Sequence, residues 1–484
     1  MADKDSTRPK PFRVVIVGAG VVGLTLSHAL QLADIDHIVL EKHDEIISVK
    51  GAALIVWPSA ERILDQFGFL DKILERYTPV MHEYRRWPDG SVNTSGGAMS
   101  QIGEIFDLQP VLFDRQSLVT HLYENLPDKS KIHTSRRVDH IEHTENSVRV
   151  VLSDGSVEEG DMVIGADGVH SIVKSQMWDY ASKAEPGSIP DSDRKAVFSE
   201  FGGIFGVSKQ KDSFGLSPSE TNVIYGHNDS KLLFTQPGVA YWAIMFKEEL
   251  SQPPKRRKNG EEDMEALARR FAETPFTENL KFSDLWETRT RSGLLNIEEG
   301  ILSKWHAGRI VLVGDSAHKM TADLGIGANI AMEAAASLCN ILHRELNADR
   351  NRHPSKSELS SMFAEYQKDR FARAEAFVDL SGKVTRMHSF QTLFGRFFVS
   401  YIGPYLNKTQ IWKLAESFSG TPKLNYVPVR TINENSVGWK LAEKKKEQKK
   451  KNKGSAGWLT YVLLTSTIGV TIAYVARSGL PTLF

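Results

Sequence analysis

Cysteine is almost missing: Cys339 stands alone among 484 residues. That excludes an internal disulfide and fits a reducing compartment. Neither charge is in excess, with 60 Lys and Arg against 60 Asp and Glu. No basic excess exists outside the lysine-rich stretch 444–453, which argues against a nucleic-acid binder. The fifteen histidines are scattered, and no Cys/His cluster has the spacing of a metal site. No repeat of solenoid period is visible. The opening residues MADKDSTRPKPF are polar, so no secretory signal is expected ahead of the fold. Apolar runs of bilayer length are missing except at residues 456–476, which contain no charged residue. At 41% hydrophobic and 25% charged, the chain can bury a large core and form more than one domain.

What is present begins near the start. Residues 13–17, RVVIV, run into Gly18-Ala19-Gly20-Val21-Val22-Gly23. This reads as a buried parallel strand, a glycine turn and a helix start. Gly18 allows the tight turn, Gly20 lets backbone approach a pyrophosphate, and Gly23 lets helix and strand pack closely. The next hydrophobic run, 36–40, ends in Glu41, where a carboxylate can hold a ribose hydroxyl. Taken alone these residues say only that a dinucleotide binds.

Three further segments narrow it. Phe113-Asp114-Arg115-Gln116 carries an arginine at a predicted helix start, Gly165-Ala166-Asp167-Gly168 follows a predicted strand, and 309–313 deliver Gly314-Asp315. Together with the glycine turn, these segments resemble the single-component FAD-dependent monooxygenases of the p-hydroxybenzoate and salicylate hydroxylase group. The resemblance implies FAD held by Gly18, Gly20, Gly23, Glu41, Arg115, Asp167 and Asp315. It also implies NADPH as a transient co-substrate and oxygen transfer through a C4a-hydroperoxyflavin. Past Asp315, Gly325, Gly327 and Ala328 open a helix whose free amides face the flavin, and such an N-terminus stabilises negative charge. Without the other motifs the same glycines read as an ordinary helix start. The family usually has proline where Ala322 stands, glutamine where Ile326 stands and glycine where Ile55 stands. Contacts from Ile55 are therefore expected through backbone.

The fold class expected is α/β: a discontinuous Rossmann-like FAD-binding domain, a second domain with a mixed β-sheet for substrate, a C-terminal helical region and one transmembrane helix. The FAD domain takes residues 11–80, 105–180 and 296–350, and the substrate domain 81–104 and 181–295. Short strands are predicted at 198–207, 222–227, 231–236 and 241–247. The helical region takes 351–435, with a helix from 355 to 376 that buries Leu359, Met362, Phe363, Tyr366, Phe371 and Phe377. Within it, residues 389–412 are rich in aromatics, and read equally as a bilayer contact or as an amphipathic helix closing the body. A basic linker, 436–455, precedes the apolar run 456–476, which spans about 30 Å as a helix. Lysines before the run and Arg477 after it predict a single-pass C-terminal anchor in the endoplasmic reticulum membrane, with the catalytic body in the cytosol.

DHIVLEKHDEI, RILDQFGFLD, LFDRQSLV and GRIVLVGDSAHKMTADLG are most similar to fungal FAD-dependent epoxidases of meroterpenoid and indole-diterpene biosynthesis. The implied reaction is epoxidation of a prenyl olefin on a lipophilic small molecule. Aromatic-ring hydroxylation is the alternative within the family, and a tethered FAD-binding reductase or non-catalytic flavoprotein the alternative outside it. Tyr225, on the predicted strand 222–227, can donate to a substrate oxygen, though tyrosine in a strand commonly only packs. Arg194, just before the first strand of the substrate domain, is the second catalytic candidate.

Overall fold

The computed structural model describes residues 11–47, 53–254, 257, 260–349, 351–402 and 407–453. Arg13–Val17 lies in a six-stranded sheet ordered His306–Ala307, Ile310–Leu312, Met162–Gly165, Arg13–Val17, Asp36–Leu40, Ile132–His133. All pairs are parallel except the first. Val14, Val15 and Ile16 are fully buried, as a parallel strand covered on both faces demands. The Val21–Leu32 and Gly327–Leu346 helices pack against each other over this sheet.

The second sheet has eight strands, ordered His318–Lys319, Arg289–Ile301, Phe198–Lys209, Val239–Ser251, Asp229–Gln236, Glu220–Ile224, His82–Arg86, Val92–Gly96. It is mixed, because Glu220–Ile224 runs parallel to His82–Arg86 while the other neighbours are antiparallel. Arg289–Ile301 crosses the boundary expected at residue 295, and His318–Lys319 comes from the segment assigned to FAD. The two units are thus joined by continuous strands rather than by linkers. Arg291 reinforces the joint by donating to Gln116 Oε1 at 2.6 Å and pairing with Asp114.

The helix predicted over 355–376 is Lys356–His388, 33 residues long. Ser355 caps it in a reciprocal box with Glu358. Of the six positions expected to be buried, five are, and Phe371 is partly so. The helix is held to Gly327–Leu346 by Glu333, fully buried and bonded to Arg370 Nη2 at 2.7 Å and Arg373 Nε at 2.6 Å. These guanidinium groups outweigh desolvation and hold the carboxyl below its usual range.

Two expectations change at the C-terminal end. The stretch read as a basic linker is helical over Val437–Lys453. It starts on the body, with the buried Trp439 ring 4.6 Å from that of Phe106. The expected membrane-spanning helix is corrected: among the described residues no helix is long and apolar enough to cross a membrane. The two longest helices, Lys356–His388 and Gly327–Leu346, carry charged groups such as Arg370 and Glu333 along their length. Residues 456–476 lie outside the described residues, and the anchor and the endoplasmic reticulum placement are set aside with the helix.

Candidate flavin and substrate site

The glycine turn behaves as its spacing requires. Gly18 has φ +102°, a conformation glycine adopts without strain. A Cβ on Gly23 would lie 1.8 Å from the Gly18 carbonyl oxygen, so only glycine lets the helix sit this close. Gly20 stands at the N-cap of Val21–Leu32 without a side-chain cap. A Cβ there would meet only the Arg115 guanidinium, at 3.9 Å. Bare amides and a fixed cation therefore face the same point, as a pyrophosphate needs. Glu41 accepts from the amides of Ala19 at 2.9 Å and His43 at 3.0 Å. The second strand's acid is thereby fixed against the turn.

Asp167 lies beside this turn, its Cα 2.9 Å from the Cβ position of Gly18. One of its oxygens accepts from the amides of Ile172 at 2.7 Å and Val173 at 3.3 Å, while the other is buried without a partner. Burial pushes its carboxyl above the usual range against the pull of those amides.

Asp315 follows the inner strand Ile310–Leu312 in a short turn and pairs with Lys319 four residues on. Burial pushes its carboxyl up, and the Lys319 ammonium, helped by Arg115, more than offsets this. Lys319 went unnoticed in the sequence, although its i,i+4 spacing from Asp315 was a usable signal.

Gly325 is left-handed at φ +57°, and its Cβ position is 3.0 Å from Ile55 Cδ1. Ile55 thus packs its side chain against the turn instead of offering backbone alone. Asn329 ties the two segments together: its Oδ1 accepts from the Trp57 amide at 2.8 Å and its Nδ2 donates to the Ile55 carbonyl at 2.8 Å. The Gly327–Leu346 helix has no side-chain cap, and nothing lies within 4 Å of a Cβ placed at Gly327. The amides of Gly327 and Ala328 therefore form an open positive terminus. These residues fit FAD: a phosphate cradle at one end, and at the other an uncapped helix terminus beside Asp315.

Tyr225 is placed differently from its prediction. The strand ends at Ile224, and the chain then turns onto the end of the long helix, with Gly226 N donating to the His388 carbonyl and Asn228 N to that of Ser389. Tyr225 is buried, stacked on Phe390 at 5.5 Å, edge-on to His388 at 5.5 Å and 6.2 Å from Trp87. Burial pushes its hydroxyl above the usual range, and Arg85, to which it is hydrogen-bonded, offsets part of that. Phe390, on which Tyr225 stacks, also lines a cavity of about 400 Å³, together with Trp87, Pro88, His227, Arg396 and Tyr401 among others. Arg194, by contrast, is exposed, 3.5 Å from the Ser182 hydroxyl and above the Trp178 ring. The fold does not bring it to Tyr225.

The sequence reading missed a buried pair. His388 Nδ1 is 2.7 Å from Asp323 Oδ1, and both side chains are almost wholly buried. Thr385 donates to the other oxygen of Asp323, and its Oγ1 lies 2.8 Å from Thr321 Oγ1. The partners lie 65 residues apart in sequence, so no local spacing could have announced them.

A family model described as an FAD binding domain matches residues 12–381. The FAD-dependent monooxygenase ausM of Penicillium brasilianum is 36% identical over 86% of this chain and 87% of its own length. The FAD-dependent monooxygenase esdpE of Penicillium shearii is 33% identical over 88% of each chain. The FAD-dependent monooxygenase atmM of Aspergillus flavus is 31% identical over 91% of this chain and 90% of its own. Among solved structures, Klebsiella pneumoniae HpxO complexed with FAD and uric acid shares the fold, with TM-score 0.67 and 20% identity over 87% of this chain and all of that one. With Arg115 set between the glycine turn and Asp315 and most of its length matched by these fungal enzymes, the chain belongs to the FAD-dependent monooxygenases.

Proposed function

We propose that this enzyme consumes NADPH and O2 to epoxidise the olefin of a prenylated, lipophilic small molecule in fungal secondary metabolism. When bound and reduced, FAD activates O2 and supplies the oxygen that is transferred. The chain's own residues bind and orient. Gly18, Gly20, Gly23, Glu41 and Arg115 would hold the adenosine diphosphate half, Asp167 and Asp315 the stretch toward the ring, and Ile55, Gly325, Gly327 and Ala328 the ring itself. The uncapped terminus of Gly327–Leu346 favours negative charge beside it.

The observation that carries the reading is the aromatic cavity before Tyr225. Trp87, Phe390 and Tyr401 bring aromatic side chains to its wall, and an olefin asks for shape rather than proton transfer. The similarity to ausM and atmM, each named an FAD-dependent monooxygenase, supports the monooxygenase part of this reading. One feature favours the aromatic-ring hydroxylase as a second reading. His388 backed by Asp323 is an arrangement able to take a phenolic proton. The test is product mass spectrometry with a panel of prenylated aromatic precursors, NADPH and 18O2. One labelled oxygen on the prenyl chain is expected, whereas label on the ring alone selects the hydroxylase.

A further inference from the structure

The Asp323–His388 pair, with Thr385 beside it, ties the turn at 322–324 to the end of the long helix. Asp323 belongs to the turn Ala322–Leu324, immediately ahead of Gly325 and the uncapped helix terminus. His388 is the last residue of the 33-residue helix. Its ring meets Tyr225 edge-on, and two residues later Phe390 both stacks on Tyr225 and lines the cavity. The ring of His388 is therefore held at Nδ1 by the flavin-side turn and packed against Tyr225, which backs Phe390 of the cavity wall.

Burying a carboxylate is costly unless its lone pairs are used. Here Thr385 takes one oxygen and His388 the other, so the turn has one low-energy position relative to the floor. A group pressing on Phe390 or Tyr225 moves the imidazole, and a moved imidazole leaves Asp323 half-satisfied. The turn then shifts with it, because packed interiors respond as units.

We propose that His388 is a positioning residue that couples occupation of the aromatic cavity to the turn at 322–325, and through it to the flavin-binding end of the Gly327–Leu346 helix. The proposal rests on the site reading above, in which the cavity takes substrate and the helix terminus faces the flavin. It does not depend on which bond the oxygen attacks. The walls define the ligand class: ring faces from Trp87, Phe390 and Tyr401 with the Arg396 guanidinium at the rim suit a planar aromatic head that carries an anion or an acceptor.

The test uses FAD-loaded full-length protein with 1-naphthoate as the probe, and no turnover. In the wild type, the naphthoate is expected to perturb the visible flavin band saturably. His388→Leu, which removes the donor, should weaken that response and FAD retention by about tenfold, the scale of a lost hydrogen bond to a charged group. His388→Asn places an amide donor where Nδ1 stood and should restore both. A purely structural histidine would lower thermal stability in both variants and leave the flavin band's response intact. If His388→Leu does not fold, Asp323→Asn and Thr385→Val take its place, the first expected to retain the response and the second to weaken it. A wild-type flavin band indifferent to naphthoate, an undiminished response in His388→Leu, or no rescue by His388→Asn overturns the proposal. Failure of the epoxidase reading alone would instead appear as unlabelled prenyl chains beside a normal naphthoate response.

Discussion

Asn329 and Ile55, 274 residues apart, are joined by a 2.8 Å hydrogen bond from the asparagine Nδ2 to the isoleucine carbonyl. The same side chain accepts from the Trp57 amide, so one buried amide fixes the Ala53–Val56 strand against the terminus of Gly327–Leu346. Asn329→Asp keeps the acceptor and loses the donor, setting a carboxylate against a carbonyl. About 2 kcal/mol of stability should be lost, along with part of the bound flavin. Urea denaturation and the flavin absorbance of the purified variant check this.

Asp315 offers the plainest test of the cofactor site. Asp315→Ala removes the carboxylate that faces the groove and leaves Lys319 unpaired. FAD occupancy on purification is expected to fall severalfold, with secondary structure unchanged by circular dichroism. Wild-type occupancy would mean that flavin binding does not depend on this carboxylate.

Glu333 should matter to the fold rather than to the reaction. Its carboxylate satisfies Arg370 and Arg373 in a fully buried setting. Glu333→Ala strands two guanidinium groups, and breaking such a pair by removing one partner costs about 3–5 kcal/mol. A midpoint of urea unfolding close to that of wild type would refute it.

Glu61 gives the enzyme a pH signature. Both carboxyl oxygens are buried without a hydrogen-bond partner. Burial pushes its pKa well above the ordinary 4.5, against the opposing pull of the Val111 backbone. The unfolded chain releases this proton near 4.5, while the folded chain holds it to higher pH. Between those two values the folded state binds more protons, so Glu61 makes stability fall as pH rises from about 4.5 until the folded carboxyl ionises. Glu61→Gln should flatten that part of the stability curve and gain most at pH 8, as read by thermal melts from pH 5 to pH 8.

The contrast between what the sequence disclosed and what it hid follows the range of the interactions. Gly18 through Glu41 were legible because turn, strand and helix terminus are local, and each residue's task follows from its neighbours. The second sheet was legible as strands but not in register: Tyr225 fell just past its strand because Gly226 and Asn228 bond to the end of a helix more than 160 residues away. Arg194 was chosen for its place before a strand, and the fold turned it outward to Trp178. Asp323 and His388 carried no local signal at all. Trp439, inside a lysine-rich stretch that reads as a solvated linker, disclosed its burial only through Phe106.

Tyr225 tests the choice between the two reactions. Its hydroxyl is buried and committed to Arg85, and its ring packs between His388 and Phe390, behind the cavity wall. An olefin requires the ring's shape alone, so Tyr225→Phe should keep kcat within about threefold while KM rises modestly from the altered floor. A phenol that needs its proton removed requires the polar network, and loss of a group assisting that transfer costs about 100-fold or more. Steady-state NADPH oxidation, with the product quantified to separate oxygen transfer from peroxide release, distinguishes the two. A kcat drop of that size with KM unchanged would place the hydroxyl in the chemistry and move the assignment from the olefin to the ring.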